Sequence, residues 1–376
     1  MKRFHNLDFL RALAMMMGLV IHAPLIFWIP DFAKVYGIDN IAPAQEWINI
    51  IGRFISSWRM PLFFLLSGFF AILVIERKGI SQFLRDRIIR VGLTCLIFSS
   101  LYDISDGSFD FTTLHLWFLY ELMIIVLVFS LLYRLKTIKN LISMKLTPKM
   151  FFFLTSWLIL SVPLAFILNN WWHPLALKAS TSYFDLKIGN MLYYFSYFLV
   201  GAILYSNQNI FIKLKNIKTI FLLGNLSLFA FLLRVYSDHL TIGQVDSLIN
   251  VAQIKFDPIL VLFNACMIGM NSILLCLLFI GLASKIIQSD SLIIKWFVEL
   301  SYPIYIIHII PITMMSAVFY HAGLNQLSIL PLAVITGFII CVILYYVFIK
   351  FTPLNWLING YSKSHLKVKF ISSLKD

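Results

Sequence analysis

Long apolar runs, broken only by short polar connections, fill nearly the whole chain. A helix needs about 20 apolar residues to cross a ~30 Å hydrocarbon layer. Counted that way, the runs predict ten spans, near residues 9–29, 48–75, 89–103, 114–134, 150–169, 188–206, 218–236, 257–283, 292–319 and 328–350. The third, built around "VGLTCLIFSSLY", is the shortest, while the eighth and ninth are long enough to tilt. The expected architecture is all-α: a polytopic integral membrane helix bundle with both termini cytoplasmic. It comprises one transmembrane domain over residues 1–350 and a basic cytoplasmic tail over 351–376.

The charged positions test this layout. With both termini inside, 22 of the 30 Lys and Arg residues fall in cytoplasmic segments, including Arg77, Lys78, Arg85, Arg87 and Arg90. Only Lys34, Lys178, Lys187, Arg234 and Lys255 fall on the opposite side, an asymmetry that follows the positive-inside rule. The opposite loops are acidic or aromatic instead, as in "YDISDGSFDF" and "NNWWHP". Composition agrees: 60% of the 376 residues are hydrophobic and 12% are charged, against roughly a quarter charged in soluble domains. The net charge of +13 is therefore a topology signal, and no nucleic-acid partner is needed to explain it. Cys95, Cys266, Cys276 and Cys341 all lie in apolar runs, with neither metal-ligand spacing nor a disulfide pattern. The opening "MKRFHNLDFL" has the basic start of a signal peptide, but Asp8 and Arg11 interrupt the run and no convincing cleavage site follows. It reads as a retained helix.

Three basic residues remain, Arg11, Arg53 and Arg59, all within or at the edge of a span. An ionisable group inside a membrane costs a few kcal/mol and demands a named partner. Arg11 and His22 are eleven positions apart, within about 20° of a whole number of helical turns, and so share one helix face. That stripe offers an anion-binding group near one boundary and a proton-transfer group deeper in. An Arg11 that snorkels and pairs with Asp8, beside a merely hydrogen-bonded His22, would satisfy the same pattern. In "SSWRMPLFFLLSGFF", Arg59 precedes Pro61, which removes a backbone donor. Ser67-Gly68 then permits close helix approach, as in a pocket wall or a plain packing motif.

Arg87 and Arg90, three apart in "RDRIIRVG", share a face at the inner end of the third span. Guanidinium pairs suit phosphate, although basic anchoring explains them as well. In "HLWFLYEL", His115 and Trp117 sit at interface depth and Glu121 lies deeper, in need of a partner. In "SYPIYIIH", Ser301, Tyr305 and His308 recur along one face, as a polar lining or a hydrogen-bonded seam.

Taken in order, "LDFLRALAMMMGLVIH", "WRMPLFFLLSGFF", "RDRIIRVG", "HLWFL" and "LSYPIYIIH" resemble the motifs of the acyltransferase-3 family of integral-membrane acyltransferases. The resemblance runs from residue 7 to residue 308. It implies transfer of an acyl group, succinyl or acetyl, from a cytoplasmic acyl-CoA to hydroxyls of a periplasmic or cell-surface glycan. The implied setting is a multi-pass protein of the bacterial inner (cytoplasmic) membrane. The family's Arg-x10-His motif falls on Arg11 and His22, its paired arginines on Arg87 and Arg90, and its polar position before "FFLLSG" on Arg59. The extra soluble esterase-like domain of some relatives is not expected here.

Together these readings give a working assignment. His22 and Arg11 are the catalytic candidates, with His22 as general base on the acceptor hydroxyl. Arg87 and Arg90 hold the coenzyme A phosphates. Arg59, His115, Trp117, Glu121, Tyr305 and His308 line the substrate path, a cleft of spans one, two, four and nine. Acyl-CoA enters as donor substrate, with no permanently bound cofactor and no metal site. The expected partners are the lipid bilayer, the glycan acceptor and acyl-CoA. Acetyl and succinyl donors differ by one carboxylate, which Arg53 or Arg59 would serve. The competing class is a transporter or flippase, in which the same charges bind and gate a glycan or acylated intermediate.

Overall fold

The computed structural model describes residues 4–105, 107, 110–170, 177, 179–242, 257–289 and 291–360. Lys2, Arg3, Lys178, Lys255, the "WWHP" of the "NNWWHP" loop and residues 361–376 of the basic tail lie outside the described residues. The described chain is helical throughout, its one β-bridge joining Thr112 to Ser182. Helices α1 (His5–His22), α2 (Leu25–Trp28) and α3 (Pro30–Val35) lead into the long α4 (Glu46–Lys78). Next come α5 (Ile80–Arg87), a π-helical turn (Ile88–Leu93) and α6 (Thr94–Ser105). The middle of the chain holds α7 (Trp117–Leu132), α8 (Lys136–Ser143), α9 (Pro148–Leu168), α10 (Ile188–Ser206), α11 (Asn209–Leu214), α12 (Ile217–Ile242) and α13 (Pro258–Ile286). The last are α14 (Leu292–Ile307), α15 (Ile309–His321), α16 (Gln326–Leu344), a second π-helical turn (Tyr345–Ile349) and α17 (Leu354–Ile358).

Several of these helices start where the sequence supplies an N-cap. Asp257 accepts from the Ile259 amide and Thr147 from the Met150 amide, each with proline at the first helical position. Ser291 and Asn325 cap α14 and α16 in the same way. A side-chain oxygen there satisfies one of the orphan N–H groups of the first turn.

Among the described residues, seven helices are long and apolar enough to cross a membrane, or eight if the bent pair α14–α15 counts as one span. Ten were expected. The first and third predicted spans are the two that fall short by this measure of length and apolarity. α1 stops at His22, ahead of Pro24, and carries Asp8 and Arg11. The third is divided between a π-helical turn and the 12-residue α6.

The chain divides into two compact units. The first comprises Met1–Leu10, Ser57–Leu84 and Asp110–Gln288. Its core is aromatic: Phe64 stacks on Tyr194 with centroids 4.5 Å apart, and Phe129 meets Phe198 at 5.0 Å. α4 and α10 approach here through Gly68 and Gly201, as the small-residue patch predicts. A Cβ on Gly68 would fall 1.9 Å from the Phe198 carbonyl oxygen, and one on Gly201 1.8 Å from that of Leu65. Only hydrogen fits at either contact, so the two backbones set the spacing.

The second unit comprises Arg11–Ser56, Arg85–Phe109 and Ser289–Asp376. α15 packs along α16, and Ile26, Phe27, Ala33 and Ile38 form a buried cluster with Ala317 and Ile329. Tyr36 shares a hydrogen bond with Thr313 at 2.7 Å, and Gln326 accepts from the Gln45 amide at 2.9 Å, tying the segment after α3 onto this cluster.

Candidate active site

In the second unit, two helices are interrupted, each at a histidine. α1 ends at His22, and the chain turns through Ala23 and Pro24 before α2. α14 ends at Ile307, His308 is non-helical, and α15 leaves at an angle of 73°. Proline accounts for both interruptions. Pro24 cannot donate to the carbonyl of Val20, nor Pro311 to that of Ile307. The carbonyls freed by such breaks must find other donors inside a membrane. Ser316 donates to the Ala23 carbonyl at 2.8 Å, Tyr102 to the Ile306 carbonyl at 2.9 Å, and His308 Nδ1 to the Tyr305 carbonyl at 2.6 Å.

These breaks bring the imidazoles of His22 and His308 together, with ring centroids 5.1 Å apart and planes inclined by 44°. The Tyr305 ring lies 5.4 Å from His308 on its other contact. A carbonyl can only accept, so His308 Nδ1 carries a proton and Nε2 holds the lone pair in the neutral ring. His308 and Tyr305 are fully buried, and His22 is half-buried. The expected helix face shared by Ser301, Tyr305 and His308 is thus cut short: the helix ends before His308, and the break, rather than the periodicity, aims its ring at His22.

Arg11 and His22 lie on one unbroken helix, α1. One turn of helix advances 5.4 Å, so eleven residues place Arg11 about 16 Å from His22 along α1. It lies instead within electrostatic reach of Arg87, as does Arg90. Three guanidiniums therefore crowd one region. Burial, then Arg90 and Arg11, lower the Arg87 pKa from 12.5 to about 10, against the smaller opposing effects of Tyr302 and Asp86, which leaves it charged at neutral pH. Clustered guanidiniums of this kind suit a polyanion.

Arg90 sits in the π-helical turn, so it no longer keeps the i,i+3 α-helical relation to Arg87 that the sequence suggested. Its place is set by two contacts instead. Its Nε donates to the Ile358 carbonyl at 3.2 Å, and its own carbonyl accepts from the Tyr302 hydroxyl. π-Helical turns within longer helices recur at functional sites. α17, inside the segment expected to be a simple tail, is what supplies the Ile358 carbonyl. Arg53 is engaged at the start of α4, its Nη1 3.3 Å from Glu46.

The first unit gathers the other candidates. Glu121 is fully buried on α7, accepts from the Ser180 hydroxyl at 2.8 Å and has Asn190 within hydrogen-bonding reach. Ser180 is itself held by Thr113, whose hydroxyl donates to its carbonyl at 2.6 Å. Arg59, also buried, and Glu121 both act electrostatically on Tyr194. The Trp117 ring lies 5.8 Å from that of Tyr194. His115 is buried in the short 3-10 turn that opens α7. Thus Arg59, Trp117 and Glu121 converge on Tyr194. Neither Tyr194, Ser180 nor Asn190 carried a sequence signal, because their roles arise from partners distant in the chain. Tyr302 lies within "SYPIYIIH", and Pro24 and Pro311 are the residue types near the breaks that could have signalled them.

Among the described residues, no group of three His, Cys, Asp or Glu side chains is placed to hold a metal ion. The polar chemistry on offer is imidazole, guanidinium and carboxylate.

Over 95 residues the chain is 30% identical to glucans biosynthesis protein C of Escherichia coli O1:K1 / APEC, and equally to those of the O139:H28 (strain E24377A / ETEC) and O9:H4 (strain HS) strains. That stretch is 25% of this chain and 23% of each relative, so the match spans under a quarter of the relatives' length. No solved structure gives a significant match. The acyltransferase domain profile, by contrast, matches residues 4–346, nearly the whole chain. The chain belongs to the acyltransferase-3 family of membrane acyltransferases.

Proposed function

We propose that the protein transfers an acyl group, succinyl or acetyl, from a cytoplasmic acyl-CoA to a hydroxyl of a periplasmic or cell-surface glycan at the bacterial inner membrane. The observation that carries this reading is the pair of imidazoles at two helix breaks, His22 and His308, with centroids 5.1 Å apart. Irregular backbone at membrane depth is tolerated where it lines a cavity or a site, and here each break presents a titratable ring.

In this reading His22 takes the proton of the acceptor hydroxyl as its oxygen attacks the thioester carbonyl. Collapse of the tetrahedral intermediate breaks the C–S bond. The departing coenzyme A sulfur receives the proton back from the His22 imidazolium, leaving an ester and free thiol. General base catalysis of this kind contributes about 10²–10⁴ in rate. His308 is a positioning residue that fixes the His22 ring. Arg87, Arg90 and Arg11 take the phosphates of the donor, which the positive-inside asymmetry assigns to the cytoplasmic side.

Arg59, His115, Trp117 and Glu121 supply the group types that grip a glycan: an aromatic face, a carboxylate and cationic donors. The names of the Escherichia coli relatives support a glucan-like acceptor. Interrupted helices also occur in transporters, which favours substrate translocation as the second reading.

Membranes containing the protein, given radiolabelled acyl-CoA and glycan, separate the two. Label in the glycan with release of free coenzyme A, abolished in His22→Ala at unchanged expression, supports the transferase. A fully active His22→Ala variant removes the assignment of the base. Uptake of intact substrate without release of coenzyme A supports transport.

A further inference from the structure

The first unit also contains a buried ion pair that the reading above leaves without a role. Arg234 and Asp238 are one turn apart on α12, with Arg234 Nε 3.9 Å from Asp238 Oδ2 and side-chain exposures of 3% and 0%. Asn264 on α13 donates to Asp238 Oδ1. Arg234 Nη1 donates to the Ser57 hydroxyl at 2.5 Å, and Asn271 Nδ2 reaches the same oxygen at 3.3 Å. α12 and α13 thus converge on one side chain of α4. The neighbouring Trp58 is held from the same side: its ring lies 4.4 Å from that of Phe279, and its carbonyl faces Cys276 Sγ at 4.0 Å.

The point of attachment has a physical meaning. Ser57 is four residues before Pro61, so its carbonyl has lost the helical donor that any other residue would supply. α4 nevertheless remains helical from Glu46 through Pro61 to Lys78. The turn weakened by Pro61 contains Arg59, which with Glu121 acts on Tyr194. A buried ion pair is a poor stabiliser, since desolvation offsets its attraction and apolar packing often does as well. Here it costs energy to hold one hydroxyl, at the one turn of α4 that lacks its own hydrogen bond.

We propose that Arg234, Asp238, Asn264 and Asn271 form a clamp that grips α4 through Ser57 and positions Arg59 for acyl transfer. These are positioning residues, and the proposal rests on the transferase reading above for its functional half. The clamp itself is a statement about α4 and stands or falls separately.

The test uses the full chain in lipid nanodiscs, with two measurements on each variant: steady-state transfer from acyl-CoA, and hydrogen–deuterium exchange of peptides covering residues 57–64. Ser57→Ala removes the link and leaves the ion pair intact. The double variant Arg234→Gln/Asp238→Asn removes the charges together, leaving no uncompensated ion behind. Both are expected to lower kcat about tenfold or more, with KM for acyl-CoA unchanged, because loss of a charge-assisted hydrogen bond is of that order. Both should also speed exchange in the 57–64 peptides and not in those of α9. Ser57→Thr, which keeps the hydroxyl, should restore both readouts. Unchanged exchange in Ser57→Ala overturns the clamp, whether or not the protein transfers acyl groups. Faster exchange with kcat kept overturns the positioning role. If the unsubstituted protein transfers nothing, the transferase reading fails, while the exchange measurement still decides the clamp.

Discussion

His308 has two separable parts, and substituting it divides them. Its Nδ1 caps the Tyr305 carbonyl at 2.6 Å, and its ring lies against His22 at 5.1 Å. His308→Ala deletes both. A buried carbonyl left without its donor costs about 1–3 kcal/mol, and loss of the ring contacts adds about 0.5–1.5 kcal/mol. His308→Asn keeps an N–H on the same Cγ, so the cap survives and only the second cost remains. Thermal unfolding in detergent should therefore rank wild type, Asn and Ala in that order, with the larger step between Asn and Ala. Transfer should not follow that order. Without the ring that fixes His22, both variants should lose about 10²-fold in kcat, the scale expected for a misplaced reacting group. KM for acyl-CoA should hold, because the arginine cluster is untouched. Combining His308→Asn with His22→Ala should cost no more than His22→Ala alone, since groups acting as one unit are not additive. A His308→Asn protein that keeps transfer within about threefold of wild type, well short of a positioning effect, refutes the paired-histidine argument.

Four further substitutions test other parts. Arg87→Gln should raise KM for acyl-CoA about tenfold or more, with kcat kept, as expected for lost charge-assisted contacts to phosphate. The cation is the binding form, and its pKa is lowered to about 10. Donor affinity should therefore be flat through neutral pH and weaken as pH passes about 10. Removing Arg11 lifts part of the repulsion and should shift that loss to higher pH, and a pH profile of KM reads both. Gly68→Ala and Gly201→Ala should each destabilise the first unit by about 1–3 kcal/mol or more, the cost of overpacking. The added Cβ would meet carbonyl oxygen at 1.9 or 1.8 Å. Detergent unfolding midpoints check this, and an unshifted midpoint would mean that α4 and α10 are not in contact.

Much of this molecule is legible in the residue pattern. A helix satisfies its own backbone, and an apolar run of span length in lipid has no competing fold, so the helical membrane architecture follows from hydropathy. The caps of α9, α13, α14 and α16, the close approach at Gly68 and the family motifs are local features of the same kind. They depend on neighbours a few residues away, which a linear reading sees.

The rest depends on partners far apart in the chain. A shared helix face for Ser301, Tyr305 and His308 assumes an unbroken helix, and the 73° turn at His308 ends that assumption. Arg234 reads as an outer-edge charge because averaged hydropathy cannot show that Asp238, Asn264 and Ser57 surround it. The meeting of His22 with His308, and of Glu121 with Ser180, is likewise set by packing between segments widely separated in sequence. Apolar transfer into lipid is non-directional and written residue by residue. Polar groups need directed partners, and only the folded chain brings those within reach of each other.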